Sequence, residues 1–226
     1  MQCVILAAGE GTRLRPLTLE VPKSLVRVAD VPIIEYIVRA LPDAITELVI
    51  VVGYKGEMIR EYCGSEFLGR SVTYVHQENP KGGTADALFC AQSVLHDTFL
   101  VMYGDDIHGS VALAKVVALP HAALAARSET PERFGVLECN PDGTLARILE
   151  KPEIPPSNLI NIGGFVLTED IFSYQVPQSV SGEYYLTDCI TAYAGVHPVQ
   201  VIEQDTWMPI GYLEDIEKAE CTLTTN

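Results

Sequence analysis

Gly9-Glu10-Gly11-Thr12-Arg13 directly follows the apolar run CVILAA, and its two glycines let backbone N–H groups approach a polyphosphate closely. It is neither of the two best-known nucleotide loops: the third glycine of G-x-G-x-x-G falls on Leu14, and no G-K-[ST] follows at P-loop spacing. On the glycines alone, a tight strand-to-helix turn reads equally well. Charge placement favours an anion site. The first 27 residues hold Arg13, Arg15, Lys23 and Arg27 against Glu10 and Glu20, a net charge of +2 in a chain whose formal charge is -15. Cations gathered beside a glycine loop in an acidic chain hold an anion, Arg13 as a bidentate fork and Lys23 as a point charge. Arg15 and Arg27 read as solvated surface charges.

Further along, VMYGDDI sets Asp105 at the end of a buried strand, where a carboxylate has little structural purpose unless it holds a cation or a hydroxyl. Asp106 points elsewhere if the strand continues. In HQENPKGGTADAL, Gly82 and Gly83 form a turn and Thr84 reads as the N-cap of the helix ADALFCAQSVL. By themselves Glu150-Lys151 read as a solvated hairpin end and Asn161 as a turn residue. The five histidines, His76, His96, His108, His121 and His197, show no metal or triad spacing. Six scattered cysteines without a C-x-x-C pair read as reduced thiols in a cytoplasmic protein.

The elements that must position these residues alternate through the first half: CVILA, PIIEYIVRAL, ELVIVV, GEMIREYC, VTYVHQ, ADALFCAQSVL, TFLVMYG. Strand-like and helical runs in that order predict βαβ units and an α/β, Rossmann-like, mostly parallel sheet with helices on both faces. Ligands then gather where the loops after Ala8, Val52, Gln77 and Tyr103 leave the strands. The second half changes texture: FGVLECN, a Pro141-Asp142-Gly143 turn and TLARILEKP predict an antiparallel hairpin, part of a smaller lobe built onto the same sheet. NIGGFVLT and VQVIEQ read as strands, and YYLTDCITAYA and YLEDIEKAECTL as helices. A chain of 226 residues with 48% hydrophobic content is expected to be one domain, 1–226, with halves at about 1–110 and 111–226.

Some partners are disfavoured. Thirty acidic against 15 basic residues are unfavourable for wrapping nucleic acid. No run of 18 apolar residues suggests a membrane span, the opening lacks a charged n-region and a cleavage site, and no hexapeptide repeat suggests an appended acyltransferase domain.

LAAGEGTRLRPLTLEVPKSL resembles the signature of sugar-nucleotide pyrophosphorylases, the sugar-1-phosphate nucleotidyltransferases. The resemblance implies that Ala8, Gly9, Gly11, Thr12 and Arg13 line a nucleoside triphosphate and that Lys23 neutralises charge near the transferred phosphorus. It implies that Gln77 reads a base edge, that Gly82, Gly83 and Thr84 pack against base and ribose, and that Asp105 binds a catalytic Mg2+. Gly135 in RFGVLE, Glu150 and Lys151 in LEKPE and Asn161 in NIGGF match the family's sugar-phosphate positions, so sugar 1-phosphate is the second substrate. Arg13, Lys23 and Asp105 are then the catalytic set, and a homo-oligomer is allowed. The implied reaction joins UTP or dTTP to glucose 1-phosphate or an N-acetylglucosamine 1-phosphate type of sugar. The alternatives are a mannose-1-phosphate guanylyltransferase and a non-catalytic nucleotide-sugar-binding regulator. One departure stands out: where the family carries an aspartate two residues after a tryptophan, as a second metal ligand, this chain has Pro209 after Trp207. Asp205 and Asp215 are the nearby carboxylates that could substitute.

Overall fold

In the central strands nearly every side chain is buried, because consecutive apolar residues point alternately to two covered faces. The computed structural model describes residues 1–180, 182–204 and 206–225. One ten-stranded sheet is formed by β1 (Gln2–Ala7), β2 (Glu47–Val52), β3 (Glu66–Phe67), β4 (Arg70–His76), β5 (Thr98–Tyr103), β6 (Ala122–Arg127), β7 (Gly135–Cys139), β8 (Leu145–Glu150), β9 (Leu159–Thr168) and β10 (Gln200–Glu203). Around it lie α1 (Ile33–Ala40), α2 (Gly56–Cys63), α3 (Gly83–Cys90), α4 (Ser110–Val116), α5 (Leu186–Ala194) and α6 (Leu213–Thr225).

Strand β1 shows how the two faces are shared. Cys3, Ile5 and Ala7 enter one core with α1, α2, α4 and α6, whereas Val4 enters the other with α3 and α5. Both faces need helices, which is why the strands read as unbroken apolar runs. Ile5, fully buried, is expected to cost about 2–5 kcal/mol when cut to alanine.

Strands β5, β1, β2 and β4 lie side by side and parallel. The chain builds outward from β1 through β2 to β4, then crosses back to lay β5 on the other side of β1. That reversal opens a crevice at the carboxyl ends of β1 and β5. The fold is α/β and Rossmann-like, with the second half attached through β9, which pairs antiparallel with β5. The predicted hairpin forms as β7 and β8, and Gly143 takes φ +84° in its turn, where a side chain would be strained. A small antiparallel ribbon joins Asp106–His108 to Trp207–Pro209.

Three helices are shorter than their sequence patterns, α1 by one residue at each end. The run read as ADALFCAQSVL is helical from Gly83 and stops at Cys90, after which residues 91–94 turn. The run beginning at Tyr184 becomes helical only at Leu186, because the Tyr184 backbone is bonded to the loop before α3. Among the described residues no helix is long and apolar enough to cross a membrane. Among the described residues no disulfide joins the six cysteines.

Candidate active site

The crevice between β1 and β5 is a cleft of about 320 Å³. Its floor is made by glycines that let strands end close together: a Cβ on Gly104 would come within 2.8 Å of Leu6 O, and Gly104 N donates to that oxygen at 3.0 Å. Gly11 takes φ +62°, and a Cβ there would meet Lys23 Cβ at 2.9 Å. The Thr18 hydroxyl donates to Gly11 O at 2.9 Å, so the glycine loop and the base of Lys23 are held as one unit. Beside Gly9 the space is open, leaving room for a ligand rather than for packing.

Lys23 Nζ reaches Asp105 Oδ2 at 2.8 Å, with the lysine side chain 13% exposed and the aspartate 39%. Burial raises the Asp105 carboxyl, but the Lys23 ammonium and then Arg13 outweigh it and hold the group below the usual aspartate value. Asp106 has a different task. It accepts hydrogen bonds from Trp207 Nε1 at 3.0 Å and Ile210 N at 3.1 Å, fixing the strap that carries Pro209. Burial and the Asp105 charge push the Asp106 carboxyl upward.

Asp215 is engaged as well: its Oδ2 accepts from Gly211 N at 3.0 Å and Tyr212 N at 2.8 Å, capping the start of α6. Asp205 lies outside the described residues. Among the described residues no three His, Cys, Asp or Glu side chains gather as a metal site. Asp105, in the lining of the cleft, is a hard oxygen donor of the kind a divalent cation takes together with phosphate oxygens.

The loop 77–85 forms the next wall. Gln77 Nε2 donates to Gly83 O at 3.1 Å and Asp86 Oδ2 at 2.8 Å, so its side chain braces the loop from beneath. Gly83 takes φ +80°, and a Cβ there would strike Tyr184 O at 2.6 Å, whereas Gly82 is right-handed and packs on Asp86. Gly83 and Thr84 line the cleft and Gly82 does not. The expected N-cap role of Thr84 is corrected: its Oγ1 accepts Leu186 N at 3.0 Å, at the start of α5, while α3 begins without a side-chain cap. Ala85 N donates to Tyr184 O at 3.0 Å and Tyr184 N to Gly82 O at 2.9 Å, so this loop is tied across to the second half.

Of the residues singled out in the sequence, the cleft brings together Ala8, Gly9, Gly11, Arg13, Lys23, Gln77, Gly83, Thr84 and Asp105. Thr12 is exposed and outside its lining. Gly135, Glu150 and Asn161 form a second group: a Cβ on Gly135 would lie 3.2 Å from Glu150 Oε2 and 3.5 Å from Asn161 Cβ. Lys151 Nζ lies 3.7 Å from Glu150 Oε1. Burial raises the Glu150 carboxyl, Lys151 opposes this and Asp188 adds to it. Asn161 Oδ1 accepts from Gly163 N at 2.9 Å, at the irregularity in β9, so its oxygen supports its own strand.

Tyr103 links the two groups. It lines the cleft, its phenol faces Thr84 and Asn161, and burial pushes the phenol well above the ordinary tyrosine value. Sequence reading missed Tyr103, although Gly163 is a trace of it: a Cβ at Gly163 would strike the ring at 2.3 Å. It also missed Tyr212, whose ring centroid lies 5.5 Å from Arg13 Cζ and 5.3 Å from Arg133 Cζ.

The family model described as nucleotidyl transferase matches residues 2–226. The chain is 38% identical to the UTP--glucose-1-phosphate uridylyltransferase AglF of Haloferax volcanii, over 97% of this chain and 95% of that protein. It is 36% identical, over 93% of its length, to a bifunctional sugar-1-phosphate nucleotidylyltransferase/acetyltransferase of Sulfurisphaera tokodaii, of which it spans about half, 52%. A Bacillus anthracis structure described as a glucose-1-phosphate thymidylyltransferase superposes with a TM-score of 0.87 at 29% identity, covering 98% of this chain and 94% of that one. A UDP-glucose pyrophosphorylase complexed with UDP-glucose has the same fold, with a TM-score of 0.87 at 24% identity, covering 99% and 98%.

Proposed function

Because the chain belongs to the nucleotidyl transferase family and is an enzyme of the sugar-1-phosphate nucleotidyltransferase type, we propose that it joins UTP or dTTP to a glucose 1-phosphate or N-acetylglucosamine 1-phosphate type of sugar. The observation that carries this reading is the cleft in which Arg13, Lys23 and Asp105 converge between β1 and β5. Support for a pyrimidine base comes from the names of the uridylyl- and thymidylyltransferase relatives. Both amide donors of Gln77 are engaged, so a base edge it reads must offer a donor; the N3–H of uracil or thymine does so, as does the N1–H of guanine, and the pyrimidine choice rests on the relatives. The guanylyltransferase and non-catalytic readings are not favoured by these relatives.

In the proposed reaction an oxygen of the sugar phosphate forms a bond to the α-phosphorus. The bond from that phosphorus to the β-phosphate oxygen breaks in line, and pyrophosphate leaves with the electron pair. Two polyanions must meet, so Arg13, Lys23 and Lys151 reduce their repulsion and hold them in position. The attacking phosphate is already ionised at neutral pH, so no general base is required. Mg2+, held by Asp105 and the phosphates, would when bound neutralise charge developing on the phosphoryl oxygens. Asp105 fits that role because it is a hard oxygen donor kept ionised at the cleft.

Glycine loop and base loop bind the triphosphate, with Gly83 and Thr84 against base and ribose. Gly135, Glu150, Lys151 and Asn161 take the sugar phosphate, Glu150 accepting from a hydroxyl. The chain is read as one domain with a nucleotide half to about residue 110 and a sugar half after it, acting in the cytoplasm without nucleic acid or membrane partners. Pyrophosphate release across triphosphates and sugar 1-phosphates tests the proposal; no release with any pair would favour a non-catalytic regulator.

A further inference from the structure

We propose that Arg133 joins Arg13 on the leaving pyrophosphate, and that Tyr212 is the positioning residue that holds the two guanidinium groups together. Arg13 comes from the glycine loop and Arg133 from a short 3-10 turn, Pro131–Arg133, just before β7. Both guanidinium groups lie within cation–π range of one ring, at 5.5 and 5.3 Å from the Tyr212 centroid. Among the described residues neither arginine has a carboxylate partner, although the chain carries 30 acidic residues. Two unpaired like charges held on one ring repel each other, and a polyanion between them removes that repulsion.

The ring is itself held in place. Asp215 accepts from Gly211 N and Tyr212 N, and Asp106 accepts from Trp207 Nε1 and Ile210 N, so both ends of the strap before α6 are fixed. Arg133 is tied to the same strap through its neighbour: Phe134 packs edge-on against Trp207 at 5.7 Å. The phenol is pulled below its usual value by Arg13 and Arg133, which agrees with two cations converging on it.

The ligand chemistry is a phosphoryl anion, and two phosphates meet in the proposed reaction. The leaving pyrophosphate is favoured because Arg13 belongs to the glycine loop and lies 3.9 Å from where a Cβ of Gly211, a residue of the cleft, would stand. The cation on the sugar side is Lys151, beside Glu150. This inference rests on the nucleotidyl-transfer reading above. It adds to that reading a second arginine, from the sugar half, acting on the triphosphate end.

The test compares wild type, Arg133→Gln and Tyr212→Leu in the reverse reaction, and measures binding of inorganic pyrophosphate by calorimetry without turnover. Arg133→Gln is expected to raise the KM for pyrophosphate, and weaken its binding, about tenfold, the loss of one charge-assisted contact. The KM values for nucleotide sugar and sugar 1-phosphate should stay unchanged. Tyr212→Leu should shift the pyrophosphate KM in the same direction, whereas a purely structural role would move all three constants together. Unchanged pyrophosphate binding in Arg133→Gln overturns the inference, as does a rise confined to sugar 1-phosphate. A wild type that binds pyrophosphate but turns over no substrate pair would overturn nucleotidyl transfer instead, and the binding comparison would still decide the role of Arg133.

Discussion

Lys23 Nζ, from a 3-10 turn, and Asp105 Oδ2, just past the end of β5, lie 2.8 Å apart in the crevice, although 82 positions separate the residues in the chain. The pair brings a fixed positive charge and a hard carboxylate to the point where the strand order reverses. A triphosphate and a cation bound there would each find a partner already in place.

Asp105→Asn is expected to lower kcat by about 10²-fold or more with the fold intact, as the loss of a preorganised charge at the reacting phosphate does. A chelator should abolish wild-type turnover, and Mg2+ alone should bind weakly until nucleotide is added. Asp215→Ala should instead lower stability by about 1 kcal/mol through loss of the α6 cap, leaving metal dependence unchanged. Tight metal binding without nucleotide that Asp215→Ala removes would make Asp215 the ligand.

Arg13→Ala is expected to remove most turnover while leaving the thermal midpoint close to wild type. The side chain is exposed and has no carboxylate partner among the described residues, so little folding energy depends on it. Wild-type kcat/KM in a folded Arg13→Ala protein would end the triphosphate assignment of the glycine loop.

Much of this was legible in the sequence, for physical reasons that particular residues make plain. The unbroken apolar runs of β1, β2 and β5 announce a sheet covered on both faces, and the cations around Gly9–Arg13 stand out against an acidic chain. What was not legible depends on contacts distant in sequence. Gly82 and Gly83 are alike as letters, and they separate only in the fold, where Gly83 takes φ +80° with no room for a Cβ beside Tyr184 O while Gly82 stays right-handed. Thr84 looks like a cap for the helix it precedes, yet its partner is Leu186, 102 residues away. Tyr212 and Arg133 carried no local signal, since their meeting depends on the strap that Asp106 anchors.

Thr84→Ala is expected to destabilise the protein by about 1 kcal/mol, because Leu186 N loses its acceptor at the start of α5. Thr84→Ser keeps the hydroxyl and should recover most of that loss. Thermal unfolding of the two variants checks this, and equal midpoints for alanine and serine would remove the cap as the cause.

Glu150→Gln is expected to raise the KM for sugar 1-phosphate more than that for the triphosphate, since a charged acceptor is lost far from the glycine loop. The carboxyl is raised above its ordinary value, chiefly by burial, so its ionised form is present above that raised pKa and lost as pH falls through it. The wild-type KM for sugar 1-phosphate should therefore rise on acidification more steeply than in Glu150→Gln, which serves as the control for titration of the substrate phosphate. A rise in the triphosphate KM alone would place Glu150 elsewhere.

The most direct measurement is pyrophosphate release from UTP, dTTP, GTP, ATP and CTP, each paired with glucose, N-acetylglucosamine and mannose 1-phosphates in the presence of Mg2+. Release is expected with UTP or dTTP and glucose or N-acetylglucosamine 1-phosphate, with one nucleotide sugar formed for each pyrophosphate. Release confined to GTP with mannose 1-phosphate would contradict the substrate assignment, and no release from any pair would contradict nucleotidyl transfer itself.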